Sequence, residues 1–463
     1  MKYQLYLMII AGLSLLLVDC TPAEEEITLD PKARLTFSTD TLFFDTLFTD
    51  TVSITRRFRV FNPQDNAVNL TSISIASGES SFYNLLINGI KEKRFKDQII
   101  LGKDSLLVLV EVTIPSRDEN TPFLVEDSVV FMTNENIQTV NLVSWGQDAH
   151  FFRNDSIIAC NTIWPADKPY VMYGSILVDS LCQLTIEEGA EIYINKNATI
   201  FVKGSLLVTG SADKPVLFRN IRLDIEHAPG QWTGLVFLEG SNNNQIDHAV
   251  IRNAEFGVRL GTPDNDTIPD LIISNTIIEN MSGFGILAFT SDLWAYNMVV
   301  NNCANFTGAH FAGGNYVYQH CTFANYSIGL FNEAPALIFS DNLELDDGSL
   351  LQADLYTQLQ NNIIWGDHQD REELVFNASD GPEFQVLIEH CLIRSQNEDF
   401  DINNNILDTD PDFPRFVDPT EFNYRLDTLS PAKDQGRLLP INTDLLGNPR
   451  DAQPDVGAYE RIE

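Results

Sequence analysis

An eight-residue pattern returns between residues 246 and 395, and its spacing leaves the chain few ways to fold. Copies run 246–253, 273–280, 295–302 and 318–325, with looser ones at 359–366 and 388–395. The units are short and β-branched. No copy can bury its own apolar face, so each must stack on its neighbours as a rung of a solenoid. One column holds only Asn or His: His248, Asn275, Asn297, His320, Asn361 and His390. Strict alternation cannot bring the apolar residues on both sides of this column to one face, so a bend is expected there. Asn suits a bend because it tolerates the left-handed backbone and hydrogen-bonds its neighbours. Stacked carboxamides can also run as a ladder from rung to rung.

Past the bend, Ile251, Ile278, Val300, Phe323, Ile364 and Ile393 form one expected inward stack, with Glu279 on the outer, solvent side of its rung. The small or soft column Ala249, Thr276, Met298, Cys321, Asn362 and Cys391 is expected to point inward too. Gly257, Gly285, Gly308 and Gly329 open the following strands, where a corner is expected to need positive φ. The pattern is that of a coiled parallel sheet.

Upstream rungs at 184–194, 198–210, 212–218 and 230–237 look different but fit the same solenoid. Thr185, Ile186, Glu187, Gly189, Ala190 and Ile192 form one motif, and Trp232, Gly234, Leu235 and Phe237 another. These residues resemble the right-handed parallel β-helix repeat proteins of the pectate-lyase-like superfamily. The segments 429–436, 444–450 and 455–460 resemble the closing region of many such proteins. The resemblance covers about two thirds of the chain. It implies an all-β fold and leaves activity open, since this architecture carries lyases, hydrolases, adhesins and inert scaffolds.

The N-terminus reads as a targeting device. Lys2 precedes an apolar run over residues 5–18, too short for a comfortable membrane span. It ends at Leu17, Val18, Asp19 and Cys20, which resembles a bacterial lipobox whose Cys becomes the lipidated mature N-terminus. Asp19 departs from the small residue expected there, which leaves an ordinary secretory signal as the alternative. The acidic stretch 21–26 resembles the tether with which Bacteroidetes lipoproteins reach the cell surface. The expectation is a signal peptide over 1–19, a tether over 20–27 and anchoring to the outer membrane through Cys20. Acyl chains hold firmly because each buried methylene contributes roughly 0.8 kcal/mol.

Residues 28–150 read as an Ig-like β-sandwich. Strand-like runs at 52–61, 68–77, 105–114, 128–133 and 139–145 are separated by turn signals such as Asn62 with Pro63. The order 57–63, 101–110 and 131–134 resembles immunoglobulin-like domains of the ASPM/SPD-2/Hydin type, which bind or space. Such a domain, placed directly before the first rung, is expected to cover an open sheet edge. The β-helix is expected over 151–395 and a C-terminal cap over 396–463.

Charge narrows the partners. The chain carries 29 basic and 65 acidic residues, a formal net charge of −36. Lys2 and Asp19 cancel within the signal, so the mature chain keeps the deficit. Nucleic acid is excluded as a default partner, because phosphate binding needs the opposite sign. Polyuronate lyase activity is disfavoured for the same reason. Of six cysteines, Cys20 is assigned to lipid, and an odd remainder makes no disulfide framework. Cys160 and Cys182 are about one rung apart and are candidates for a stacked disulfide. Cys321 and Cys391 read as buried small hydrophobes.

Candidate chemistry is sparse. His248, His320 and His390 share the bend column and read as corner residues. The Gly-His-Gly and Arg-x-Lys sets that mark the polygalacturonase branch are missing from residues 151–395, and Arg252 and Arg259 are the only basic residues in rungs 246–330. Hard oxygen ligands for calcium are offered by Asp264 and Asp266 with Asp270, by Asp346 and Asp347, and by Asp408, Asp410 and Asp412. Among Trp232, Trp294, Phe311, Tyr316 and Trp365, the better exposed sugar-stacking candidates are Trp294 and Trp365, beside strand breaks. The long interval 326–359 carries Asp341, Glu344, Asp346 and Asp347 without a paired base, which favours metal or ligand contact over acid–base work. The expected function is non-catalytic binding or scaffolding at the cell envelope, with polysaccharide as candidate ligand. A carbohydrate-active enzyme and a protein-binding adhesin are the alternatives.

Overall fold

The computed structural model describes residues 26–222, 227–261, 268–368, 371–410 and 412–462. Cys20, Asp264 and Asp266 lie outside the described residues. The chain divides into two compact units, the first ending at Asp148 and the second beginning at Ala149.

The first unit is an Ig-like sandwich of two five-stranded sheets. One runs in the order Thr36–Phe37, Arg56–Phe61, Ser105–Val112, Tyr83–Ile87, Ile90–Glu92, and the other Thr41–Phe48, Asn136–Gln147, Phe123–Thr133, Val68–Ile75, Arg94–Ile100. Period-two alternation buries Val140, Leu142 and Ser144 while Asn141 and Trp145 face outward. The facing interiors bring together Phe58, Val108, Val110, Phe131 and Leu142, and the buried Tyr83 hydroxyl donates to the Val125 carbonyl at 2.9 Å. Strands at Thr41–Phe48, Tyr83–Ile87 and Arg94–Ile100 are absent from the sequence reading. Arg94–Ile100 is an edge strand, and with Arg94, Lys96 and Asp97 in it the apolar alternation is too broken to recognise.

The second unit is a parallel β-helix with a closing segment. An eleven-stranded sheet runs from His150–Phe152 to Ile406–Asp408. A sixteen-stranded sheet carries two further ladders, which merge in the long strands Phe284–Tyr296 and Gly308–Gln319. Ile251, Ile278, Val300, Phe323, Ile364 and Ile393 are register partners in succession, and all are buried completely. The stack continues past residue 395 through Leu407, the partner of Ile393. The soft column Ala249, Thr276, Met298, Cys321, Asn362, Cys391 is buried as well. Cys160 and Cys182 are disulfide-bonded, with Cα atoms 4.5 Å apart.

All six bend residues adopt the left-handed conformation, with φ between 48° at Asn275 and 56° at Asn361. Asn253, Asn280 and Asn302 do so at the next corner. The glycines after that corner have another purpose than the one expected. Gly257, Gly285 and Gly308 are not at positive φ; only Gly329 is. A Cβ on Gly257 would lie 2.4 Å from Ile278 Cγ2, and one on Gly285 2.3 Å from Val300 Cγ1. The inward stack fills that space, so those glycines admit packing, and Asn supplies the turn.

The closing segment covers the solenoid's flank. Val299, Ala324, Ile363, Trp365 and Leu392, on the outer face of the eleven-stranded sheet, pack with Phe416, Tyr424, Leu426, Ala432, Leu445, Val456 and Ala458. The bend column holds it in place. Asn297 Nδ2 donates to the Thr443 carbonyl at 2.8 Å, and Arg450 Nη2 donates to Asn297 Oδ1 at 2.9 Å. His390 Nδ1 lies 2.9 Å from the Gln435 carbonyl. Glu279 is therefore not solvent-facing as expected: it is 9% exposed, pairs with Arg252 at 3.1 Å, and lies within electrostatic reach of Tyr424 and Tyr459. Beside the last rungs the short turn Glu398–Phe400 brings Phe400 to 6.1 Å from Phe376.

Candidate functional site

The ladder that precedes the bend column leaves one outer face uncovered by the closing segment's apolar cluster, and alternation sorts its residues into three rows. The central row pairs Ile272, Trp294, Val317, Gln358 and Leu387 on successive strands. Beside it run Ser274, Tyr296, Gln319, Gln360 and Glu389. On the other side Asp292, Asn315, Tyr356 and Gln385 align. A stripe that is apolar except at Gln358 thus lies between two polar ones, of which Ser274 and Gln360 are buried and Tyr296, Gln319 and Glu389 half-buried, with neighbouring strands about 4.8 Å apart.

Hydrogen bonds tie the stripe together across rungs. Trp294 Nε1 donates to Gln319 Oε1 at 3.1 Å, and Gln319 Nε2 donates to Gln360 Oε1 at 2.7 Å. Gln360 Nε2 donates to Glu389 Oε1, which also accepts from Arg437 Nη1 at 2.6 Å. The half-buried Trp294 ring lies 5.4 Å from that of Tyr296. Tyr356, 36% exposed, donates to Glu383 Oε2 at 2.8 Å, and that carboxylate pushes the phenol's pKa up. Each bond restricts a rotamer before any ligand arrives.

The sequence candidates fare unequally. Trp294 lies on this face. Trp365 does not: it is completely buried under the closing segment, 6.3 Å from Phe413, because its strand belongs to the covered flank. Tyr316 is also buried and Trp232 packs in its rung, donating to the Arg252 carbonyl at 2.9 Å. Phe311 is half-buried against Phe289, 6.1 Å away. Asp346 and Asp347 are exposed at the tip of a hairpin made by Asn342–Glu344 and Leu350–Gln352. Asp347 Oδ1 closes its own turn, accepting from Ser349 N at 2.9 Å and Ser349 Oγ at 2.5 Å. Asp341 is a structural residue rather than a ligand contact: it is buried, and its carboxylate accepts the Ser379 N–H at 2.8 Å.

For calcium, Asp270 Oδ2 accepts the Asp292 N–H at 2.9 Å. Asp408 and Asp410 accept the backbone N–H groups of Asp410 and Asp412. No group of three or more His, Cys, Asp or Glu side chains that could hold a metal occurs among the described residues. His248, His320 and His390 are corner residues and His310 is a core group. Burial pushes His310 down to about 3 and His320 well below the ordinary imidazole range, so both are neutral acceptors rather than acids. The sequence reading missed Tyr296, Gln319, Tyr356 and Gln360. Their signal was the polar alternation just before each bend residue, recognisable only once the register is known.

No family model matches this sequence, and no curated protein matches it. Among solved structures, a family 123 glycoside hydrolase from Clostridium perfringens, described for glycolipid glycan hydrolysis, is similar at 10% identity and a TM-score of 0.17. That likeness covers 24% of this chain and 25% of the hydrolase, so the chain spans about a quarter of that protein. The ASH/PapD-like domain 7 of human CEP192 is similar at 12% identity and a TM-score of 0.17, over 28% of this chain and 96% of that domain. Likenesses at these scores carry no inference about activity.

Proposed function

We propose that this chain is a surface-tethered lipoprotein that binds an extended, uncharged glycan without turning it over. The observation that carries the reading is the Trp294–Gln319–Gln360–Glu389 chain beside an apolar stripe. Aromatic rings take the C–H face of a sugar, while carboxamides supply paired donors and acceptors for hydroxyls. Strands about 4.8 Å apart repeat these contacts at nearly the length of one sugar unit. The net charge of −36 repels polyanions. The stripe's carboxylates are acceptors in fixed hydrogen bonds, Glu389 from Gln360 and Arg437, and Glu383 from Tyr356. Lipidation at Cys20 would anchor the chain to the outer membrane, with the acidic stretch 21–26 as its tether.

A glycan array and affinity electrophoresis on neutral polysaccharides, run beside reducing-end and unsaturated-product assays, test the reading. Binding should weaken about tenfold or more in Trp294→Ala, with no product from any glycan. Turnover abolished by Glu389→Gln or Glu383→Gln would replace binding with catalysis. Cys20→Ser should release the protein from the membrane fraction.

A further inference from the structure

At the corner beyond the inward stack, a carboxamide ladder runs along the solenoid. Asn253 Nδ2 donates to Asn220 Oδ1 at 2.6 Å, Asn280 Nδ2 to Asn253 Oδ1 at 2.5 Å, and Asn302 Nδ2 to Asn280 Oδ1 at 2.9 Å. Each bond uses one of the two hydrogens that an Asn amide carries, so Asn280 and Asn302 each have a second one to donate. Where the ladder meets the loop at Ile328, whose N–H donates to Asn302 Oδ1 at 3.1 Å, the surface opens into a cavity of about 270 Å³. Asn280 and Asn302 line it together with His227, Leu330, Glu421 and Phe422.

Phe422 stands out among these. It has φ 57°, a left-handed conformation that a bulky side chain rarely adopts, and it ends the turn Pro419–Glu421. Its ring meets His227 edge-on, centroids 5.1 Å apart. Strained aromatic backbone is retained where surrounding contacts enforce it, and it concentrates at ligand sites.

We propose that this cavity is a second binding site, separate from the outer face, that takes one neutral sugar ring or a polyol of similar size. Carboxamide N–H groups and the Glu421 carboxylate would meet hydroxyls from opposite sides, while Phe422 and Leu330 cover the ring's C–H face. The volume falls below the roughly 300–1,000 Å³ of pockets for larger ligands, which restricts the occupant to a single ring. Chemistry narrows it further. No Lys or Arg lines the cavity among the described residues, which excludes an anion, and a single carboxylate is too little for a desolvated cation.

Ligand-observed NMR and calorimetry on the full soluble chain test this, with glucose, galactose, mannose, N-acetylglucosamine and inorganic phosphate as probes. At least one sugar should bind, with affinity falling about tenfold in Phe422→Gly and in Glu421→Gln, and unchanged in Trp294→Ala. Phe422→Gly relieves the backbone but also removes packing against the closing segment's core, whereas Glu421 is exposed, so Glu421→Gln should keep a thermal midpoint near the parent's and separates a loss of binding from a loss of fold. The proposal is overturned by silence from all four sugars, by preference for phosphate, or by full binding in Phe422→Gly. Loss in Trp294→Ala alone would also overturn it, by assigning the sugar to the outer face.

Discussion

Asn361 and Arg437 hold each other in both directions: Asn361 Nδ2 donates to the Arg437 carbonyl at 2.7 Å, and the Arg437 N–H donates to Asn361 Oδ1 at 2.8 Å. The same side chain donates to His320 Nε2 at 2.8 Å, and its backbone carbonyl accepts the Gly457 N–H at 2.8 Å. One corner residue thus turns the chain, joins two rungs and fastens the closing segment.

Asn361→Ala should cost about 2–4 kcal/mol, combining lost hydrogen bonds with a left-handed backbone that Ala resists. Asn361→Gly keeps the turn and should recover about 1 kcal/mol of that. Urea midpoints of the two variants decide it; equal midpoints would mean that the turn conformation contributes nothing.

Gly285 and Gly261 should separate space from conformation. Neither sits at positive φ, but a Cβ on Gly285 would lie 2.5 Å from the Thr307 carbonyl oxygen, whereas on Gly261 its nearest neighbour is Phe289 Cδ2 at 3.4 Å. Gly285→Ala should destabilise by about 1–3 kcal/mol through overpacking. Gly261→Ala should be neutral or stabilise by up to about 1 kcal/mol, because it restricts the unfolded chain. Thermal melts in which the two behave alike would contradict the stack geometry.

Ile278 and Glu279 face opposite ways, yet both are covered. Ile278→Asp places a carboxylate in the core and should cost more than about 4 kcal/mol. Glu279→Ala leaves Arg252 without its partner under the closing segment and should cost about 1–3 kcal/mol, more than a surface change. A Glu279→Ala midpoint indistinguishable from the parent would mean that the closing segment does not cover this rung in solution.

Acid should weaken the solenoid through its buried histidines. His310 accepts from the Tyr318 hydroxyl at 2.6 Å, and His320 accepts from Asn361, so both are neutral when folded. Burial lowers both, and Arg450 lowers His320 further. A depressed folded value means that the stabilisation is complete above the unfolded value of about 6.5 and is lost as pH falls below it. Asp455 and Glu460, raised by burial, act in the opposite sense, so the comparison must be internal. His320→Asn, which copies Asn297 and Asn361 in the same column, should reduce the fall in stability between pH 7 and pH 5 by about 1 kcal/mol. An unchanged pH slope in this variant would refute the assignment.

The amino-acid sequence by itself determined the repeat, the bend column and the inward stack. Those features depend only on local spacing and on which side chains tolerate a left-handed backbone, and Asn275, Asn297 and Ile278 stand where spacing puts them. Tertiary structure decided which outer faces meet water. Trp365 and Trp294 look equivalent in sequence, yet one is buried beneath residues about fifty or more positions later and the other lies half-exposed beside Gln319. The same holds for Glu279 and for the glycines after the second corner. Covering a flank is a contact between distant segments, and its partner cannot be inferred from a repeat that records only the neighbouring rung.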